Sequence, residues 1–205
     1  MSNSFSVFVV DHDKAMRNSL KWLIESVGMK VETYASADEF VRNYYPGQAG
    51  CLLLDVRMPG MSGLELQEHF LKHEINIPII IITGHGDVPM AVKAMKAGAV
   101  DFIEKPFNDE LLLESIRLAL NIDIEQRSTQ AERAEIATHL ATLTPRELEV
   151  MEMVTNGWAN KEIAQRLSVS TKTVEAHRAR VMEKMHARSL ANLVKMAVTA
   201  SMQLD

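Results

Sequence analysis

The sequence predicts an α/β doubly wound (βα)5 parallel-sheet domain followed by a small all-α domain of four helices. Three observations carry that prediction. Five short strand-like runs alternate with helix-like segments over the first 120 residues. Two of the runs, Val7-Phe8-Val9-Val10 and Ile79-Ile80-Ile81-Ile82, are apolar without alternation, as parallel strands covered on both faces require. The strand pattern then stops after Leu120, and every segment from Leu143 onward reads as helix.

Strands are expected at residues 6–10, 31–34, 51–54, 79–82 and 101–103. The helices between them are expected at 14–27, 36–43, 63–73 and 87–96, with a fifth starting at Asn108. Ser36-Ala37-Asp38-Glu39 fits a capping box. Asp87 can cap the fourth helix, with Pro89 in its first turn. Residues 121–142 are polar, contain neither Gly nor Pro, and read as a helical or partly ordered linker. Thr144-Pro145-Arg146-Glu147 is a second capping box with Pro at the first helical position. Further helices are expected at 160–167, at 171–185 after the turn Ser168-Val169-Ser170, and at 189–201. The expected organisation is therefore 1–120, a linker at 121–142, and 143–205.

Apolar residues make up 47% of the chain, enough for real cores, yet no apolar run is long enough to span a membrane. The start, Met1-Ser2-Asn3-Ser4-Phe5, shows no basic segment or cleavage pattern, so no signal peptide is expected. The lone Cys51 cannot form an intrachain disulfide and reads as a core residue in a reducing cytoplasm. Net charge is −5 overall, but it is −5 over residues 1–120, −2 over 121–142 and +2 over 143–205. The basic surplus thus lies at the C-terminal end, although +2 alone is a weak footprint for nucleic acid.

Polar residues cluster at the ends of the predicted strands. Asp11, His12 and Asp13 follow the first, Asp55 ends the third, Thr83 ends the fourth and Lys105 follows the fifth. In a parallel sheet these ends share one edge, where open α/β sheets hold their sites. Each residue type suits phosphoryl transfer: Asp55 offers a nucleophilic oxygen, Asp11 and Asp13 hard ligands for Mg2+, Lys105 a point charge and Thr83 a hydroxyl donor. Each also has an ordinary reading. Asp11 or Asp13 could simply cap the first helix, Thr83 could serve β propensity, and Lys105 could be a surface lysine.

The stretches Val10-Asp11, Leu54-Asp55-Val56-Arg57-Met58-Pro59-Gly60-Met61-Ser62-Gly63, Thr83-Gly84-His85-Gly86-Asp87 and Phe102-Ile103-Glu104-Lys105-Pro106-Phe107 resemble the receiver domain of bacterial two-component response regulators. Their wording is similar to the FixJ group. The resemblance implies that a sensor histidine kinase phosphorylates Asp55 with Mg2+ present, and that Thr83 and Phe102 form a switch pair. It also implies a cis peptide bond between Lys105 and Pro106. The sequence departs from the family at one place. The family's second acidic position after the first strand, which usually binds the metal directly, is His12 here. Imidazole is a poor Mg2+ ligand. Three outcomes stay open: Asp11 takes over with more water in the shell, a local shift brings Asp13 inward, or metal binding and phosphorylation are weakened. The expectation is weaker binding through Asp11, Asp55 and the Arg57 backbone carbonyl.

In the C-terminal part, Leu143-Thr144-Pro145-Arg146-Glu147-Leu148-Glu149-Val150, Asn160-Lys161-Glu162-Ile163-Ala164 and Ser170-Thr171-Lys172-Thr173-Val174-Glu175-Ala176-His177-Arg178 resemble the LuxR-type helix-turn-helix. By that resemblance Glu175, Ala176 and Ala179 lie at base-facing positions, and Lys172, Thr173, His177, Arg178 and Lys184 at phosphates. Glu147 and Glu162 read as caps or pairing partners. The last helix, with Leu190, Leu193, Val194 and Ala197, is where this family dimerises, and plain core packing is its ordinary reading.

Together the two parts resemble a FixJ/NarL-type response regulator over nearly the whole chain. The resemblance implies a sensor histidine kinase and a double-stranded DNA promoter site as partners, RNA polymerase as a further one, and no membrane. It implies a homodimer on phosphorylation through the face carrying Val92, Met95 and Lys96, or else release of the DNA-binding domain. Asp55 would accept phosphate without the chain being a turnover enzyme. Two rivals stand beside this reading. One is a phosphorylation-independent DNA-binding regulator whose degenerate receiver only dimerises. The other is an Asp-nucleophile hydrolase, which needs a second acid near Asp55 where the chain has Arg57 two places on.

Overall fold

The structure, a computed structural model, describes residues 5–201 and divides into two compact units, Met1–Gln126 and Arg127–Asp205. In the first, β1 (Ser6–Val10), β2 (Lys30–Tyr34), β3 (Gly50–Asp55), β4 (Ile79–Thr83) and β5 (Asp101–Glu104) alternate with α1 (Lys14–Ser26), α2 (Ala37–Asn43), α3 (Gly63–Lys72), α4 (Val88–Lys96) and α5 (Asp109–Leu140). The strands pair in the order β2-β1-β3-β4-β5, all parallel. Strand order reverses on the two sides of β1 and β3, which opens a crevice at their carboxyl ends.

The unbroken apolar runs are explained by two cores. Successive strand side chains point to opposite faces. Phe8, Val10, Leu52, Leu54, Ile79 and Ile81 pack with Phe40, Leu66 and Phe70 on one face. Val7, Val9, Cys51, Leu53, Ile80 and Ile82 pack with Leu20, Ile24, Leu112 and Ile116 on the other. With both faces covered, a polar residue inside β1, β3 or β4 would have no water to reach. Burial pushes the Cys51 thiol up to about 12, which leaves it a core residue rather than a nucleophile.

Helix starts follow local chemistry. Asp13 caps α1, accepting the Ala15 N–H at 2.8 Å. Ser62 and Glu65 form a reciprocal capping box on α3, and Asp87 caps α4 at the Met90 N–H. The expected box at α2 is only half made. Ser36 accepts the Glu39 N–H, but the Glu39 carboxylate turns to the Ala35 N–H at 2.6 Å rather than to Ser36 itself.

The apolar stripe of α5 runs through Leu112, Ile116 and Ala119 and continues to Asp123, which is buried. Asp123 Oδ2 accepts the Gly50 N–H at 3.0 Å, so α5 belongs to the first unit beyond Leu120. The first compact unit runs to Gln126. Farther along, Ile136 joins the core of the second unit.

That unit adds α6 (Pro145–Thr155), α7 (Asn160–Leu167), α8 (Thr171–Lys184) and α9 (Leu190–Ser201). Val150, Val154, Ile163, Val174, Val181, Met185 and Leu193 fill its core. The turn between α7 and α8 is tight because Ser168 takes a left-handed conformation, and Ser170 then caps α8 at the Thr173 N–H.

Glu147 is buried with two partners. Its Oε2 accepts from the Thr144 N–H at 2.9 Å and from Lys184 Nζ at 2.6 Å. The Lys184 ammonium, aided by the Thr144 N–H, holds its carboxyl down at about 2. A depressed carboxyl stabilises fully above its ordinary value of 4.5 and loses that contribution as pH falls through about 2. In a Trp22→Phe background, Trp158 fluorescence reports the second unit alone, because the chain has two Trp residues. Urea midpoints measured this way should fall between pH 4.5 and 2, and Glu147→Gln should be less stable at neutral pH with a flatter acid dependence.

Candidate functional site

Register assembles the first site. Val10 pairs with Leu54 across β1 and β3, so Asp11 and Asp55, one residue on, leave adjacent strands side by side. Asp55 pairs with Ile82, which places Thr83 next along β4. Thr83 pairs with Glu104, and the Lys105 N–H donates to the Thr83 carbonyl at 2.8 Å. One edge therefore gathers Asp11, Asp55, Thr83 and Lys105. The Lys105–Pro106 bond that follows is cis.

Asp11 is 2% exposed and Asp55 4%. Lys105 Nζ answers both, at 2.6 Å from Asp11 Oδ2 and 3.3 Å from Asp55 Oδ1. His12 Nδ1 lies 3.0 Å from Asp55 Oδ2 and 3.8 Å from Asp11 Oδ1. The 3.0 Å separation from Asp55 is that of a hydrogen bond. Asp11 Oδ1 takes the Asp13 N–H at 2.8 Å, and Arg17 Nη1 donates to the Asp11 carbonyl at 2.7 Å. Asp13 does not come inward, because its carboxylate caps α1. Arg57 is exposed at the turn beyond Asp55.

Donor atoms of Asp11, His12 and Asp55 all lie within 4.8 Å of one another. Two buried carboxylates facing one lysine leave room for a second positive charge, so the residues fit a divalent cation. The set is two oxygens and one nitrogen.

Thr83 is fully buried, and its Oγ1 accepts the His85 N–H at 3.3 Å. Phe102 is half-buried against the core beneath α4. Gly86 sits between the two. A Cβ there would lie 3.0 Å from the Phe102 ring and 3.4 Å from the Thr83 methyl. Gly63 is constrained more severely, since a Cβ would stand 2.3 Å from the Asp55 carbonyl oxygen.

In the second unit α8 shows Lys172, Glu175, Ala176, Ala179 and Arg180 to solvent, with Thr173 and His177 half-buried. Lys172 and Arg180 have no ion-pair partner among the described residues. Two residues expected at phosphates also have partners within the domain. Arg178 Nη1 donates to Asn160 Oδ1 at 2.5 Å, tying α8 to the start of α7. Lys184 holds Glu147 and the Thr142 carbonyl. Among the residues expected to dimerise, Val92, Met95 and Lys96 are exposed on α4, Leu190 is exposed on α9, and Val194 is half-buried. No helix among the described residues is long and apolar enough to cross a membrane.

Three supporting residues gain roles that the sequence analysis did not assign: Arg17 on the Asp11 carbonyl, Asn160 on Arg178, and Gly86 beside Thr83 and Phe102. Each owes its place to a partner distant in sequence or across a turn, and no local pattern announces that.

Residues 7–117 match the response regulator receiver domain, and residues 141–197 match the luxR family of bacterial regulatory proteins. The chain is similar to nodulation protein W of Bradyrhizobium diazoefficiens, 47% identical over 193 residues, covering 94% of this chain and 85% of that protein. It is 46% identical over 200 residues to the transcriptional regulatory protein FixJ of Azorhizobium caulinodans, covering 98% of this chain and 95% of that one. Among solved structures, the response regulator StyR superposes with a TM-score of 0.86 at 44% identity, covering 95% of this chain and 98% of that chain. Full-length FixJ from B. japonicum gives 0.56 at 43% identity, covering 97% and 98%. The chain belongs to the two-component response regulators that join a receiver domain to a luxR-family DNA-binding domain.

Proposed function

We propose that Asp55 is the phosphoacceptor of this regulator, and that a sensor histidine kinase phosphorylates it to control DNA binding by the second unit. The observation that carries this is a carboxylate 4% exposed at a strand end with Lys105 at 3.3 Å and the Asp11 carboxylate beside it. In the transfer, an Asp55 oxygen attacks the phosphorus of a phosphohistidine. The O–P bond forms as the N–P bond breaks, and the departing imidazole takes a proton from solvent. Lys105, shared between Asp11 and Asp55 beforehand, pairs with the added charge of up to about −2.

A divalent cation, Mg2+ in receiver domains generally, would be held by Asp11 and Asp55 with the Arg57 carbonyl, and the His12 ring stands beside the two carboxylates. Bound there, it neutralises charge on the transferring oxygens. The Thr83 hydroxyl turns from the His85 N–H to donate to the phosphoryl group, and the Phe102 ring moves inward past Gly86, where the missing Cβ leaves its path open. The neighbouring face, with Val92, Met95 and Lys96, then pairs with a second copy; release of the DNA-binding domain is the other route.

For the second unit, the N-terminus of α8 enters the major groove. Lys172, Thr173 and His177 meet phosphates, and Glu175, Ala176 and Ala179 face bases. Arg178 and Lys184 hold α8 in place through Asn160 and Glu147. Pairing through Leu190 and Val194 sets two recognition helices about 34 Å apart on a promoter, with RNA polymerase as the downstream partner. The chain turns over no substrate of its own, and it works in the cytoplasm.

His12 in the metal position favours a second reading, in which the receiver dimerises without phosphorylation. Sedimentation of the unphosphorylated protein separates the two: the first reading expects a monomer, the second a dimer.

With acetyl phosphate and a divalent cation, mass spectrometry should find one added phosphoryl group on the wild type and none on Asp55→Asn. Labelling of an Asp55→Asn variant to the wild-type level would remove Asp55 from this role. Lys172→Ala should weaken binding on all DNA sequences alike and flatten the salt slope by about one unit. Glu175→Ala should instead change sequence preference, which binding to a panel of sites would reveal.

A further inference from the structure

The turn that carries His12 is pinned on both sides. Arg17 donates to the Asp11 carbonyl, the Asp13 N–H donates to Asp11 Oδ1, and the Asp13 carboxylate is occupied with the α1 cap. Asp13 therefore supplies no third carboxylate to the edge, and the ring nitrogen of His12 is the third donor there. Its side chain is 48% exposed, at the mouth of the cluster. Around an octahedral ion with bonds of ~2.1 Å, neighbouring donors stand ~3.0 Å apart and opposite ones ~4.2 Å. His12 Nδ1 lies 3.0 Å from Asp55 Oδ2, the spacing of neighbouring donors, and 3.8 Å from Asp11 Oδ1, so a small side-chain adjustment brings the set to an octahedral ion. The same positions made entirely of oxygen would suit Mg2+, which takes carboxylates and water. An imidazole suits first-row transition ions and is a poor partner for Mg2+.

We propose that His12 makes this edge select a first-row transition ion of the Fe2+ or Co2+ kind over Mg2+, with Asp11, His12 and Asp55 as its protein ligands. This rests on the reading of the edge as the cation site of the phosphoacceptor. Asp11 and Asp55 provide the charge, and His12 the discrimination. Replacing the ring by a carboxylate restores an all-oxygen set and reverses the preference.

The test is calorimetric titration of the full-length protein with MgCl2 and with CoCl2, for the wild type and for His12→Asp, an exposed position where the change leaves the fold intact. The ratio of the Mg2+ to the Co2+ dissociation constant should fall at least tenfold in His12→Asp. In the NMR spectrum of the Co2+ complex, the wild type should show a hyperfine-shifted ring N–H resonance from Nε2 of a cobalt-bound histidine. It should vanish in His12→Asp and persist in His69→Ala and in His139→Ala, which remove the two close histidine ring pairs among the described residues, His69–His73 at 4.1 Å and His139–His186 at 4.8 Å. An unchanged ratio, or a resonance that survives His12→Asp, overturns the proposal. Phosphoryl labelling of Asp55 in the same samples is read separately. Normal labelling with an unchanged ratio sinks the selectivity and leaves the phosphoacceptor standing. A His12-dependent Co2+ site with no labelling under either ion sinks the phosphoacceptor and leaves the selectivity standing.

Discussion

The first unit depends on two buried carboxylates forced together by strand register. Val10 and Leu54 pair, so Asp11 and Asp55 must follow side by side. Two such charges one strand spacing apart repel by roughly 3 kcal/mol at an effective dielectric of about 20. Lys105 offsets this from the far side of β4, reaching Asp11 at 2.6 Å and Asp55 at 3.3 Å. The carboxyl edge of the sheet is thus set up around one lysine charge facing two acids. Anything that changes the charge on Asp55 changes what Lys105 must answer. In the proposed reading, a phosphoryl group on Asp55 shifts the balance that Lys105 holds between β1, β3 and β5.

The proposed switch pair lies one strand away. Thr83 is buried, its hydroxyl accepts the His85 N–H, and a Cβ at Gly86 would meet both the Thr83 methyl and the Phe102 ring. Gly86 leaves a gap one methyl wide between a polar group at the edge and a ring on the β5 surface. In the second unit, α8 is held at its middle by Arg178 on Asn160 and at its C-terminal end by Lys184 on Glu147. Lys172 and Arg180 remain exposed on this helix, without an ion-pair partner among the described residues.

Much of this was legible in the sequence, for physical reasons. Unalternating apolar runs identify β1, β3 and β4, because strands covered on both faces leave no polar positions. Asp87, Thr144 and Ser170 announce their helices because orphan N–H groups need an acceptor at those places. The carboxylates at strand ends stood out because burial inside a strand would be costly. Other features depend on distance in space. Whether Asp11 or Asp13 caps α1 turned on the geometry of one turn, and the structure gives the cap to Asp13 and the edge to Asp11. Asp123 continues the apolar stripe of α5 into a buried bond with Gly50, so the first unit extends past Leu120. Lys184 and Arg178 look like free cations in a list of residues. Their partners lie 37 and 18 positions away in sequence, where no periodicity points.

The claim at the centre is that the charge state of Asp55 controls the second unit's grip on DNA. The most direct measurement is DNA affinity and oligomeric state of the full-length protein, wild type and Asp55→Asn, with and without phosphodonor and divalent cation. The account predicts tighter binding and a shift to dimer for the phosphorylated wild type, with no response from Asp55→Asn. Equal affinity and the same oligomeric state under all four conditions would contradict it.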